Sequence, residues 1–116
     1  MSGRSSQRKG ADGEKELSAL LRREGFHTER GPSQSYGTTP DVSGLPGVHV
    51  EVKRVERLNL ENALEQSERD AKKFQDGIPV VMHRRNRSPW RVSMNLTDWL
   101  HLYRAWRRED FSESHK

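Results

Sequence analysis

Apolar residues recur along this chain at two periods, and those periods divide it into elements. Over residues 11–24, Leu17, Leu20 and Leu21 fall at helical spacing with Glu24 continuing the series, and Gly25 is placed to end the helix. Residues 26–30 can form a strand entered through that glycine. Residues 31–40, rich in Gly, Pro, Ser and Thr, read as a loop. A short strand over 41–43 and a tight turn over 44–47 lead to the clearest alternation in the chain. There Val48, Val50 and Val52 share one face while His49, Glu51 and Lys53 share the other, which predicts a strand over 48–55 paired as a hairpin with its predecessor.

The second half repeats the scheme. Asn59 is a capping residue type, and Leu60, Ala63, Leu64, Ser67, Ala71 and Phe74 form a helical stripe after it, with Gly77 as the expected stop. Ile78, Pro79, Val80, Val81 and Met82 suit a buried strand with its proline near the start. A further strand over 90–94 is expected to pair with it across the basic turn 84–89. Asn95 caps a last helix with Asp98 in its first turn, and Leu96, Trp99, Leu100, Tyr103 and Trp106 make its apolar face. From Arg107 the sequence is polar and is expected to fray. The order of helix, three strands, helix, two strands, helix predicts an α/β domain with a central mixed β-sheet flanked by helices. Residues 1–10 read as a flexible basic arm, 11–108 as a single domain and 109–116 as a polar tail.

Composition narrows the picture. Leu, Val, Ile and Phe supply 22 of the 116 residues, so the core is thin and association of two copies would help it. Cysteine is absent, which rules out disulfides, thiolate metal sites and a cysteine nucleophile. No apolar run approaches the roughly 20 residues needed to cross a membrane, and the polar, basic first residues do not resemble a secretory signal. A soluble cytoplasmic protein is expected. The net charge is +4 and the pI about 9.8, with arginine prominent. Its planar fork of donors suits phosphate, and a solvated basic surface would give the same composition.

Candidate chemistry lies around the alternating strand. Glu51 and Lys53 point to the same face, and the hairpin can bring Asp41 beside Glu51. Two carboxylates and an ammonium would then meet at one edge of the sheet. Carboxylates are hard oxygen ligands for Mg²⁺, a bound metal activates water and polarises a phosphoryl oxygen, and the lysine can orient that water or stabilise developing negative charge. Glu-x-Lys also occurs by chance in charged strands, where a cross-strand salt bridge explains it equally well.

Several segments taken in order resemble the archaeal-type Holliday junction resolvases of the PD-(D/E)xK nuclease superfamily, which also occur in some phages. Arg8, Lys9 and Gly10, followed by Glu14, Lys15 and Glu16, are similar to the family's opening Arg-Lys-Gly, three residues, Glu-Arg-Glu. Leu21 to Phe26, Glu29-Arg30, Pro40-Asp41-Val42, Glu51-Val52-Lys53 and Gly77-Ile78-Pro79-Val80 follow in the family's order, so the resemblance covers roughly residues 8–83. It implies a restriction-endonuclease-like fold in a homodimer that nicks four-way DNA junctions with Mg²⁺, for which Mn²⁺ would substitute. It implies catalytic roles for Glu14, Asp41, Glu51 and Lys53, with Glu14, Asp41 and Glu51 as metal ligands. Arg30 would contact a phosphate near the scissile bond, and Ser33 or Ser35 would supply the family's loop serine. Arg8, Lys9, Lys15 and Arg54 are the further expected DNA contacts, Lys15 being a weaker point charge where the family has arginine. Beyond Met82 the chain departs from the pattern. A phage setting, within the host cytoplasm, fits the short length.

Other residues carry plainer expectations. Glu16 is read as solvated, Gln66 and Asp70 as polar shoulders of a packed helix, and His49 as a passive neighbour of the site. Trp99, Tyr103 and Trp106 are read as core or dimer interface, and Arg84, Arg85 and Arg87 as either DNA-backbone contacts or solvated charges. Three alternatives to the resolvase reading stand at this point: a nuclease of the same fold acting on other branched, nicked or duplex DNA, a DNA-binding protein that does not cut, and a plain interaction module.

Overall fold

A computed structural model describes residues 2–31 and 41–114, with side chains over 11–31 and 41–109. The elements in chain order are α1 (Ser2–Arg23), β1 (Glu29–Arg30), β2 (Val42–Ser43), β3 (Gly47–Arg54), α2 (Leu60–Phe74), β4 (Gly77–Arg84), β5 (Arg91–Ser93) and α3 (Leu96–Ser114). The strands form one sheet in the order β1-β2-β3-β4-β5. Among the described residues only β3 and β4 run parallel, from Gly47↔Gly77 to Arg54↔Arg84, with α2 as the crossover between them; the other pairings are antiparallel. This is the expected mixed α/β architecture.

The alternation of β3 sorts the two faces of the sheet. Val50 and Val52 pack with Leu17 of α1, Val42 of β2 and Val80 of β4 in the buried core. The other face of β3 carries His49, Glu51 and Lys53 toward α2, whose buried positions are Ala63, Ser67 and Ala71. The Ser67 hydroxyl donates to the Val80 carbonyl at 3.1 Å, which ties α2 to β4. Asn59 caps α2 as expected, its side chain accepting from the Asn62 N–H.

Close approaches at Gly13 and Gly77 bear on how β3 is positioned. A Cβ on Gly13 would lie 2.6 Å from Arg54 Cβ, so α1 rests on β3 at a distance only glycine allows. Gly77 has φ +134°, and a Cβ there would run into the Gly47 carbonyl group opposite it.

Several element boundaries differ from expectation. α1 begins at Ser2, so its first turns take in the residues expected as a separate arm; no proline interrupts them. The strand expected over 26–30 reduces to Glu29–Arg30. Upstream, Phe26 is exposed, and the chain is instead anchored by buried Thr28, whose hydroxyl donates to the Ser18 carbonyl at 2.9 Å. α2 is closed by Gln75 in the left-handed conformation rather than by Gly77, which opens β4. Leu60, expected on the packed stripe, is exposed. α3 continues past Arg107 to Ser114. Its apolar face is not core: Leu96, Trp99, Tyr103 and Trp106 are all exposed, and the three rings form a ladder with centroids 5.2 and 5.7 Å apart.

Candidate active site

Asp41 stands just before β2, opposite Glu51 on β3, because Val42 pairs with Val50 in antiparallel register. Its Oδ2 accepts from the Val52 N–H at 2.9 Å, which fixes the carboxylate on the edge of β3. Burial, followed by the charge of Glu51, raises the Asp41 carboxyl to about 7, with Glu14 adding to the rise and the Val52 N–H and Lys53 opposing it. Asp41, Glu51 and Lys53 of the hairpin and Glu14 of α1 thus act on one another electrostatically.

Glu14 enters from α1, held over β3 by the close approach at Gly13. Burial raises its carboxyl above the ordinary range, against the lowering influence of Arg30. Arg30 Nε lies 3.6 Å from Glu14 Oε2. That distance makes an ion pair but is too long for a hydrogen bond. Arg30 Nε is accordingly a buried donor with no hydrogen-bond partner among the described residues, ready for an acceptor that enters the site.

Lys53 donates through Nζ to Gln66 Oε1 at 3.2 Å. Gln66 is therefore more than the polar shoulder of a helix: it orients the lysine. Glu51, 4 % exposed, is met by His49, which is fully buried. His49 Nε2 lies 3.3 Å from Glu51 Oε2, and Nδ1 lies 2.8 and 3.0 Å from the two oxygens of Asp76. Burial lowers the affinity of His49 for its proton, but the Glu51 and Asp76 carboxylates overcome this and raise the imidazole to about 9. The ring is held between the two carboxylates and stacks on Phe74, the ring centroids 5.9 Å apart. The expectation of a passive neighbour is corrected. The alternation put His49 on the face of Glu51, but its second partner, Asp76, lies 27 residues away and left no local signal.

Two sets of donors could hold a metal, and they share Glu51. One is the expected Glu14, Asp41 and Glu51, whose oxygens suit a hard divalent cation and whose mutual repulsion such a cation would relieve. The other is His49, Glu51 and Asp70, whose ligand atoms all lie within 4.8 Å of one another. Among the described residues this second set is the one whose ligand atoms are gathered so closely.

The remaining expected residues are dispersed. Lys15 is exposed on α1. Arg8 and Lys9 lie in the first turns of α1 but outside the described side chains, and Ser33 and Ser35 lie outside the described residues. Arg54 pairs with Glu16 at 3.3 Å. Glu16 is not simply solvated, because Arg84 Nε at 2.6 Å and Trp90 Nε1 at 3.2 Å also donate to it. Although burial opposes it, the Arg84 and Arg54 hydrogen bonds bring the Glu16 carboxyl below its ordinary range. Its partners lie 38, 68 and 74 residues away, beyond the reach of any periodicity.

No protein-family model and no curated protein sequence matches the chain. Among solved structures, that of Hjc from Archaeoglobus fulgidus, a Holliday junction resolvase from an archaeal hyperthermophile, is 27% identical to it. The likeness covers 72% of this chain and 70% of that one, with a TM-score of 0.53.

Proposed function

We propose that this chain, which has the mixed-sheet fold of an archaeal-type Holliday junction resolvase, is a structure-selective DNA endonuclease that resolves four-way junctions by metal-dependent phosphodiester hydrolysis. The observation that carries the reading is the seat of Asp41 on the edge of β3, where its Oδ2 accepts from the Val52 N–H and where burial, then the charge of Glu51, raises its carboxyl to about 7. Perturbation of this kind is characteristic of functional sites.

A divalent cation, Mg²⁺ with Mn²⁺ as substitute, would supply Lewis-acid polarisation of the phosphoryl oxygen and an acidified water. Asp41 and Glu51 would hold it, with Glu14 completing the set. Lys53, aimed by Gln66, presents its ammonium to the developing negative charge or to the attacking water. Arg30 would offer a phosphate oxygen its Nε, which has no hydrogen-bond partner among the described residues. The products would be a 5′-phosphate and a 3′-hydroxyl.

A homodimer suits the reaction, because two nicks on symmetry-related strands need two sites related by a two-fold axis. The exposed rings of α3 offer an apolar face to a second copy. No helix among the described residues is long and apolar enough to cross a membrane, in keeping with action on DNA inside the cell.

The test is cleavage of an end-labelled four-way junction beside a linear duplex of matching sequence, in Mg²⁺, in EDTA, and with Asp41→Asn. Paired symmetric nicks in the junction alone, lost in EDTA and in the variant, are the expected result. Equal cutting of both DNAs would keep the chemistry and reject the junction selectivity. Tight junction binding without cutting would leave a non-catalytic binder.

A further inference from the structure

A basic groove of ≈ 300 Å³ opens between the β3–α2 connection and the β4–β5 turn. It lies on the same face of the sheet as the catalytic lysine. Lys53 pairs with His83 in the parallel register, and His83 pairs with Arg91 in the antiparallel one. Residues at one level of adjacent strands share a face, and strands lie about 4.8 Å apart. The Arg91 backbone is therefore about 10 Å from that of Lys53 across the sheet. One strand of duplex DNA rises about 3.4 Å per nucleotide, so a strand presented to Lys53 carries further phosphates within reach of Arg91.

The charges of the groove are unequally spent. Arg84 is occupied: Nε donates to Glu16 at 2.6 Å, and Nη1 donates to the Arg85 and Ser88 carbonyls at 3.3 and 3.2 Å. These bonds shape the turn that carries Arg85, whose Nε donates to Ser88 Oγ at 3.2 Å. The Arg85 Nη nitrogens have no partner among the described residues. Arg91 is exposed, and its side chain makes no hydrogen bond or ion pair among the described residues. Glu56 is the only acid in the lining, and its Oε1 accepts from the Asn86 N–H at 3.1 Å. His83 is held by Ser93, with Nε2 2.8 Å from the hydroxyl. Two guanidinium groups thus face one groove without a carboxylate ion pair, one of them on a turn already fixed by Arg84.

We propose that Arg85 and Arg91 form a second phosphate subsite, which grips a backbone phosphate of the DNA flanking the scissile one. It rests on the nuclease reading above. Guanidinium forks suit phosphate oxygens, and the subsite would set the direction in which DNA leaves the catalytic centre. It reads no bases, so it acts alike on every sequence.

The test is binding of a fluorescein-labelled four-way junction in EDTA, followed by anisotropy across a range of salt concentrations. The unsubstituted protein is compared with Arg85→Gln, Arg91→Gln and the double variant. Arg23→Gln, which removes an exposed charge at the end of α1, serves as control. Each phosphate contact contributes roughly 0.9 to the slope of log K against log salt. The double variant is expected to lose about one unit of slope, with its melting temperature unchanged. A slope equal to that of the Arg23→Gln control overturns the subsite, and leaves the nuclease reading intact if the unsubstituted protein still cuts in Mg²⁺. Binding of inorganic phosphate that the double variant loses, with no change in the DNA slope, overturns it in favour of a free-anion site. An unsubstituted protein that neither binds nor cuts DNA overturns both readings.

Discussion

The imidazole of His49 is hydrogen-bonded to the carboxylate of Glu51, Nε2 to Oε2 at 3.3 Å, with both side chains buried. His49→Leu strands a buried carboxylate without its cation. Loss of one partner from a buried pair costs on the order of 3–5 kcal/mol, so the urea midpoint is expected to fall sharply. Asp76→Asn, which keeps an acceptor for Nδ1, is expected to fall less. Because folding raises His49 from 6.5 to about 9, its contribution is fully present below pH 6.5 and is lost as pH rises through about 9. The gap between the parent and His49→Leu should therefore narrow between pH 7 and pH 10. A gap of constant width would show that the histidine acts by packing alone.

Asp41 carries the opposite burden. With its carboxyl raised from 3.8 to about 7, the folded protein binds the proton more tightly than the unfolded chain does. Stability is greatest below 3.8 on this account and falls as pH rises through about 7. In EDTA at pH 8, Asp41→Asn is expected to melt at least ~4 °C higher than the parent while losing cleavage altogether. Mg²⁺ should raise the melting temperature of the parent more at pH 8 than at pH 5.5. It should do so far less in the variant, and equal shifts in the two proteins would place the cation elsewhere.

Gly13→Ala reverses a familiar rule. Alanine inside a helix ordinarily gains roughly 1 kcal/mol over glycine. Here the new methyl group would meet Arg54 Cβ at 2.6 Å, and α1 must lift off β3. A net loss of about 1–3 kcal/mol is expected. Cleavage should fall at least ~10-fold, because Glu14 moves with the helix and a small misplacement is costly to catalysis. A variant more stable than the parent would show that the helix tolerates the shift.

Glu16→Gln tests the other tether of α1. The side chain keeps an acceptor but loses the charge that Arg54, Arg84 and Trp90 share. Glu16 is 37 % exposed, so solvent screens the pairs and a loss of about 1 kcal/mol is expected. Folding lowers the Glu16 carboxyl, so its contribution is present above 4.5 and is lost as pH falls through the folded value. Denaturation curves of parent and variant should draw together as pH falls below 4.5, and a difference that does not shrink in acid would point to steric damage instead.

The parts of this molecule legible in its sequence are those governed by one buried face. The alternation of Val48, Val50 and Val52 gave β3 and placed Glu51 and Lys53 together, because a half-buried strand must repeat every two residues. Asn59 announced the start of α2 through its own hydrogen bond. The ordered segments over residues 8–83 carried the likeness to archaeal resolvases, which the solved structure bears out. What the sequence could not give were partners brought in by the fold. Asp76 on His49, Gln66 on Lys53 and the three donors on Glu16 depend on how helices and strands stack. The aromatic spacing of α3 specified a helix but not its surroundings, so a stripe read as core or interface is in fact solvent-exposed in the single chain.

The register of β3 against β4 decides which side chains enter the site at all. Side chains alternate strictly, so a slip of one position would turn valines toward the acids of α2 and bury Glu51 and Lys53 against Leu17. Gly47 and Gly77, at the far end of the strands from Lys53, abut so closely that neither neighbour in sequence can take the place of Gly77. Gly77, a residue with no side chain, thereby acts as the alignment stop for the chemistry carried further along the neighbouring strand.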